Sequence, residues 1–244
     1  MTDDPAVEVK NVYKYFIPRG NTNSIKDFIV YREKKSKVKH EVLNNISFSV
    51  NRGEALGIIG RNGSGKSTIL KMLTKILRPN QGEIIMRGRV SCLIELGAGF
   101  HPDMTGRENI FINASIFGLN NKEIEERFDK IVEFSEIGDH IDERVRNYSS
   151  GMYMRLAFAI AINVNADILV IDEILAVGDI QFQDKCMKKL MELKNNGVTI
   201  VLVTQTPDQV KQMCNRAIWI DNGVIREQGD PEYVCDAYVK ELLG

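Results

Sequence analysis

The stretch Gly60-Arg61-Asn62-Gly63-Ser64-Gly65-Lys66-Ser67-Thr68 constrains this chain more than any other. It reads G-x-x-x-x-G-K-S-T, a pattern that has physical meaning only between a strand and a helix. Ala55-Leu56-Gly57-Ile58-Ile59 is an apolar run of strand length, and the segment from Ile69 to Leu77 places apolar residues at helical spacing. Strand, glycine loop and helix are therefore predicted in that order. Glycine lets backbone N–H groups turn inward around phosphate oxygens, and a helix start adds unpaired N–H groups and partial positive charge. In such a cradle Gly60, Asn62, Gly63, Ser64, Gly65 and Thr68 surround the phosphates. Lys66 reaches the outer ones, and the Ser67 hydroxyl offers a ligand to Mg²⁺.

The flanking pattern is α/β. Residues 7–16 and 42–50 alternate apolar and polar as half-buried strands do, with Asn51-Arg52-Gly53 turning the chain into the strand before the loop. Ile25–Val30 has the pattern of a short amphipathic helix, and Arg32–His40 forms a basic patch best read as a solvated loop. Glu83–Met86 and Val90–Ile94 are predicted strands on either side of Arg87-Gly88-Arg89. From Gly106 to Ala161 the period is helical, and Asn120 with Glu123 is spaced as a capping box. Beyond it Ile124, Phe128, Ile131 and Val132 share one face. Strand 168–171, helix 181–194, strand 199–203 and helix 207–214 follow, then a hairpin on Asn222-Gly223 and a helix over 231–243. The expected organisation is one domain over 1–244. Residues 1–94 and 162–244 form an α/β core with a β subdomain, and residues 95–161 form a helical insert.

Composition narrows the function classes. A formal net charge of −1 gives no global field toward nucleic acid. No run of eighteen apolar residues predicts a membrane span, and Met1-Thr2-Asp3-Asp4-Pro5 lacks signal-peptide character. The four cysteines and three histidines show no metal-ligand spacing.

Two further stretches carry chemistry. Ile168-Leu169-Val170-Ile171-Asp172-Glu173 is an apolar strand ending in two carboxylates. Asp172 suits Mg²⁺, and Glu173 suits a base that polarises an attacking water. Tyr148-Ser149-Ser150-Gly151-Met152 opens a helix, as a second anion site or as an ordinary serine N-cap.

These motifs, in this order and spacing, resemble the ATP-binding subunit of ABC transporters, over nearly the whole chain. The resemblance implies a P-loop NTPase core of ABC type with an antiparallel β subdomain and a helical insert. Ser149, Ser150 and Gly151 match the family's signature loop, and Ala176-Val177-Gly178-Asp179 resembles the loop that follows the catalytic glutamate. Glu95–Pro102, Thr105–Asn109, Asn113-Ala114-Ser115 and the extra segment before residue 41 look like the branch that exports O-antigen polysaccharides and teichoic acids. The implied mechanism is a head-to-tail dimer that holds two ATP with Mg²⁺ and drives two permease subunits from the cytoplasmic face. By the same resemblance, the permease is expected to dock near Glu95–Asn109 and the helical insert. Polysaccharide is handled by the permease, and no nucleic acid is involved. The rival readings are a soluble ATPase acting on nucleic acid or ribosomes, and a regulatory subunit that signals by nucleotide binding alone.

Three positions depart from the family pattern. Leu96, beside Glu95, stands where a glutamine is usual. Phe16 best matches the aromatic that stacks on adenine, with Tyr15 adjacent. Gln205 occupies the place of the histidine that contacts the γ-phosphate. A glutamine can donate an amide N–H but carries no proton at neutral pH, so hydrolysis is expected to be slowed, by about 10²–10⁴, with binding intact.

Overall fold

The computed structural model describes residues 4–17, 39–93, 96–172 and 178–243. The helix expected at Ile25–Val30, most of the basic patch, Glu95 and Glu173–Val177 lie outside these residues.

Strands β1 (Val7–Phe16), β2 (His40–Val50) and β4 (Gln81–Met86) form an antiparallel sheet ordered β2-β1-β4. The second sheet is ordered β5-β6-β7-β3-β8-β9, with β3 (Ala55–Ile59), β5 (Val90–Cys92), β6 (Ile168–Asp172), β7 (Thr199–Thr204), β8 (Arg216–Asp221) and β9 (Val224–Gly229). All pairings in it are parallel except β8 with β9. Strands β3, β6 and β7 are buried almost end to end, which is why they read as unbroken apolar runs. The two predicted strands flanking Arg87-Gly88-Arg89 therefore belong to different sheets. The second of them ends at Cys92 rather than Ile94.

Each face of the parallel sheet has its own core. On one side Leu56, Ile58, Val201 and Val203 meet the antiparallel sheet and helix α1 (Lys66–Leu73). On the other, Ile59, Ile200 and Leu202 meet α5 (Ile180–Asn195), α6 (Pro207–Met213) and α7 (Pro231–Leu243). Each such fully buried side chain contributes about 1.5–3 kcal/mol. The insert comprises α2 (Gly106–Ile116), α3 (Asn121–Ser135) and α4 (Ser150–Asn163) around a third core of Ile110, Ile124, Ile131, Leu156 and Ile160.

The helix after the glycine loop is displaced from its expected span of 69–77. It starts at Lys66 and stops at Leu73, because Lys75 turns left-handed at φ 62°. The Lys75 N–H then bonds the Met72 carbonyl at 3.0 Å and the Leu77 N–H bonds the Lys71 carbonyl at 2.9 Å, closing off the end of the helix. The capping box at Asn120 is formed in both directions, at 3.0 Å to the Glu123 N–H and 2.8 Å back from the Asn120 N–H. An equivalent box joins Thr105 and Glu108. The β8–β9 turn has Asn222 and Gly223 at φ 48° and 76°, as its sequence predicts.

Candidate nucleotide site

The parallel register brings three strand ends together. Ile59, the last residue of β3, is level with Thr204 of β7 on one side and Trp219 of β8 on the other. Asp172, the last residue of β6, is level with Val203. The glycine loop, Gln205 and Asp172 thus emerge at the same carboxyl edge of the sheet, the edge where open α/β sheets receive ligands.

Neighbouring elements shape the loop. A Cβ on Gly60 would lie 2.7 Å from the Ser64 Oγ and closer still to the Ile220 carbonyl of β8. Gly65, at φ 109°, has room for no side chain either, since a Cβ would lie 2.5 Å from Leu43 Cδ2 on β2. The Gly223 N–H of the β8–β9 turn donates to the Ser64 carbonyl at 3.1 Å. Gly65 caps α1 and supplies no side-chain acceptor, so the first N–H groups of α1 receive no side-chain cap.

Lys66 is 8 % exposed, and its ammonium donates to the Gly60 carbonyl at 2.6 Å and the Arg61 carbonyl at 2.9 Å. The Ser64 hydroxyl is buried with no hydrogen-bond partner among the described residues. A buried hydroxyl without a partner, a helix start with no side-chain cap and an ammonium resting on main-chain carbonyls together fit a polyphosphate. Ser67 is exposed at the start of α1, and Asp172 is half-buried at the end of β6. Both supply the hard oxygen donors that Mg²⁺ takes. Asn62 and Gly63 are exposed at the loop tip, and Thr68 is half-buried.

Gln205 is half-buried and follows a fixed turn. The buried Thr204 hydroxyl donates to Gln209 Oε1 at 2.9 Å and accepts the Thr206 N–H at 3.0 Å. Glu173, expected as the base, lies outside the described residues.

Phe16 ends β1 opposite His40 and is 44 % exposed. Val42, two residues along the same strand, packs against Gly65, so Phe16 stands about 7 Å along β2 from the loop's contact. Tyr15 is half-buried, with the Lys39 ammonium 4.4 Å from its ring centroid.

Ser149 caps α4 by accepting the Met152 N–H at 3.2 Å, and Ser150 begins the helix. Both serines are exposed, with Gly151 half-buried behind them. No hydrogen bond joins this loop to the glycine loop among the described residues. Tyr148, just before it, donates to the His140 carbonyl at 2.8 Å, and burial pushes its pKa up to about 12.

Sequence reasoning missed several residues that brace the site. Asn109 is fully buried and ties the 101–105 loop, accepting the His101 N–H at 2.7 Å and donating to the Thr105 carbonyl at 2.8 Å. Arg155 of α4 pairs with Asp179, the N-cap of α5, and with Glu136 at 2.6 Å; Lys185 also holds Glu136, at 2.7 Å. The Phe182 N–H and then Arg155 lower the Asp179 pKa, while Lys185 foremost lowers that of Glu136. The ion pairs among these contacts have no local sequence signal, because each joins separate elements.

The model of a family described as ABC transporter matches residues 43–176. The chain is 43 % identical over 244 residues to an O-antigen export system ATP-binding protein, RfbB, of Klebsiella pneumoniae, covering 98 % of this chain and 99 % of that protein. It is 41 % identical over 233 residues to a teichoic acids export ATP-binding protein, TagH, of Bacillus cereus (strain ZK / E33L), covering 95 % of this chain and 42 % of that longer protein. Among solved structures, an ATP-binding subunit of an ABC transporter superposes with a TM-score of 0.77 at 21 % identity, over 98 % of this chain and all of that one. A dimeric ATP-binding cassette with ADP and phosphate superposes at 0.72 and 21 % identity, over 92 % of this chain and 98 % of that one.

Proposed function

The chain belongs to the ABC transporter family, and from that premise we propose that it is the ATPase subunit of an exporter of lipid-linked polysaccharide or teichoic acid. The observation that carries the ATPase reading is the convergence of the glycine loop, Asp172 and Gln205 at one carboxyl edge of the parallel sheet. The export reading rests on the relatives, whose names state that role for them.

In this reading the loop amides and the start of α1 bind the phosphates, and Lys66 exchanges its two carbonyl contacts for phosphate oxygens. The Ser64 hydroxyl gains an acceptor. Phe16 offers its exposed face to the adenine. Ser67 and Asp172 would hold Mg²⁺, which when bound neutralises charge on the phosphate oxygens. Glu173 accepts a proton from the attacking water, and Gln205 donates an amide N–H toward the terminal phosphate without carrying charge. The exposed Ser149 and Ser150 face a second copy, whose phosphate loop they close in a head-to-tail dimer.

The reading assigns the permease a docking groove. Leu96–Phe100, Ile76, Ile116 and Phe117 line an apolar groove of about 240 Å³, with Ile116 and Ile76 68 % and 56 % exposed. No helix among the described residues is long and apolar enough to cross a membrane; in this reading a separate membrane subunit supplies the path. The chain then sits peripherally on the cytoplasmic face.

The test is co-expression with a candidate polytopic permease. Co-purification with that polytopic protein, together with MgATP-dependent transfer of a lipid-linked glycan into proteoliposomes, is the expected result. Recovery with RNA or DNA in its place would overturn the export reading.

A further inference from the structure

Arg61 follows Gly60 in the phosphate loop, and its side chain reaches away from that loop. Its Nη2 donates to the Glu241 carbonyl at 3.0 Å. Glu241 lies in the last turn of α7, where carbonyls have no partner further along the helix. A guanidinium is favoured at that end by the helix dipole. The main chain of Arg61 meanwhile faces the site. Its carbonyl accepts the Lys66 ammonium at 2.9 Å and the Ser64 N–H at 3.2 Å. One residue therefore joins the end of α7 to the lysine that opens α1.

The body of α7 is anchored independently. Val234, Cys235 and Tyr238 are buried, and the Tyr238 ring meets Trp219 edge-on at 5.8 Å. Beyond Tyr238 the helix is mostly exposed, with Leu243 84 % accessible, so burial does little to order that last turn. The Arg61 hydrogen bond ties that turn to the loop.

We propose that Arg61 is a positioning residue through which the last turn of α7 sets the shape of the phosphate loop. Order in residues 239–243 and nucleotide binding are then two readouts of one equilibrium. A nucleotide that draws Lys66 off the Arg61 carbonyl acts on the same residue that grips Glu241. By linkage, whatever fixes the α7 turn changes nucleotide affinity by the factor with which nucleotide stabilises the turn. The proposal rests on the reading of the loop as an ATP site.

The test uses two changes at opposite ends of the contact, Arg61→Ala and a chain ending at Val239. Binding of a non-hydrolysable MgATP analogue is expected to weaken about three- to tenfold in each, the net worth of one typical intramolecular hydrogen bond. The double variant is expected to lose no more than either single one, as partners in one contact do. In the unaltered chain the analogue is expected to slow amide exchange in residues 239–243, and in Arg61→Ala to leave it unchanged. Additive losses would mean that Arg61 touches the nucleotide directly and would overturn the proposal, as would a shortened chain of full affinity. If Arg61→Ala does not fold, the shortened chain and Arg61→Gln carry the same comparison. Exchange of the loop amides 60–66 without nucleotide separates this proposal from the ATP reading. Faster exchange in the shortened chain supports the link whatever the loop binds, and unchanged exchange overturns it.

Discussion

The Tyr153 hydroxyl donates to the Gly97 carbonyl at 2.6 Å, and its ring lies where a Gly97 side chain would be. Gly97 stands at φ 79°, a conformation that L side chains rarely adopt, and Tyr153 meets Phe100 edge-on at 4.9 Å. The helix that carries Ser149–Gly151 is thereby bolted to the segment lining the apolar groove. Gly97→Ala is expected to lower stability by about 1–3 kcal/mol through overlap and strain. Tyr153→Phe, which keeps the ring, is expected to cost about 1 kcal/mol. Denaturant melts of both variants check this, and a Gly97→Ala penalty undiminished in a Tyr153→Ala background would refute the overlap.

Ser64→Ala is expected to act with opposite sign on the two states. The buried hydroxyl has no partner among the described residues, a state that costs about 1–3 kcal/mol. Its removal should raise the melting temperature of the nucleotide-free chain and weaken nucleotide binding severalfold. Equal shifts with and without nucleotide would show that the hydroxyl does not meet the phosphates.

Gln205→His is expected to raise the hydrolysis rate by about 10²-fold with little change in nucleotide affinity. The turn that presents position 205 is held by Thr204 and Gln209, not by residue 205 itself, so the substitution leaves the presentation intact. Matching steady-state rates would mean that glutamine serves the terminal phosphate as well as histidine does.

The acid limb of stability is expected to depend on Arg155. Glu136 and Asp179 both have folded-state pKa values below their ordinary ones, through Lys185 and the Phe182 N–H respectively, with Arg155 adding to each. Their pairs stabilise the fold above the ordinary range. That contribution fades as pH falls below about 4.5 and through the lowered values. Arg155→Met should therefore lower the melting temperature more at pH 7 than at pH 3. A difference independent of pH would assign Arg155 a packing role over Phe182, 4.8 Å from its guanidinium, rather than an electrostatic one.

Local signals in the sequence were reliable where the chemistry is local. The glycine loop, the capping box at Asn120 and the Asn222-Gly223 turn are each built from residues within a few positions of one another, and each takes its expected form. The end of α1 was illegible because Ile76 and Leu77 continue the apolar period past the left-handed Lys75. The parting of β4 and β5 into separate sheets follows from partners far away, β1 and β6. The bracing contacts, Arg155 with Asp179 and Tyr153 with Gly97, join residues 24 and 56 positions apart, a distance over which spacing carries no information.

The place of β3 between β7 and β8 has a consequence for how the protein is made. The Gly53 N–H reaches the Thr199 hydroxyl across 146 residues, and the Ala55 N–H reaches Asn215 across 160. A ribosome has therefore released the entire glycine motif long before either neighbour of its strand exists. The nascent chain carries the signature of a nucleotide site without the sheet that would hold it open. Such non-local pairing folds slowly and leaves an apolar strand uncovered in the interval. The window between emergence of Ile59 and emergence of Asp221 is when this chain is most exposed to aggregation and most in need of a chaperone.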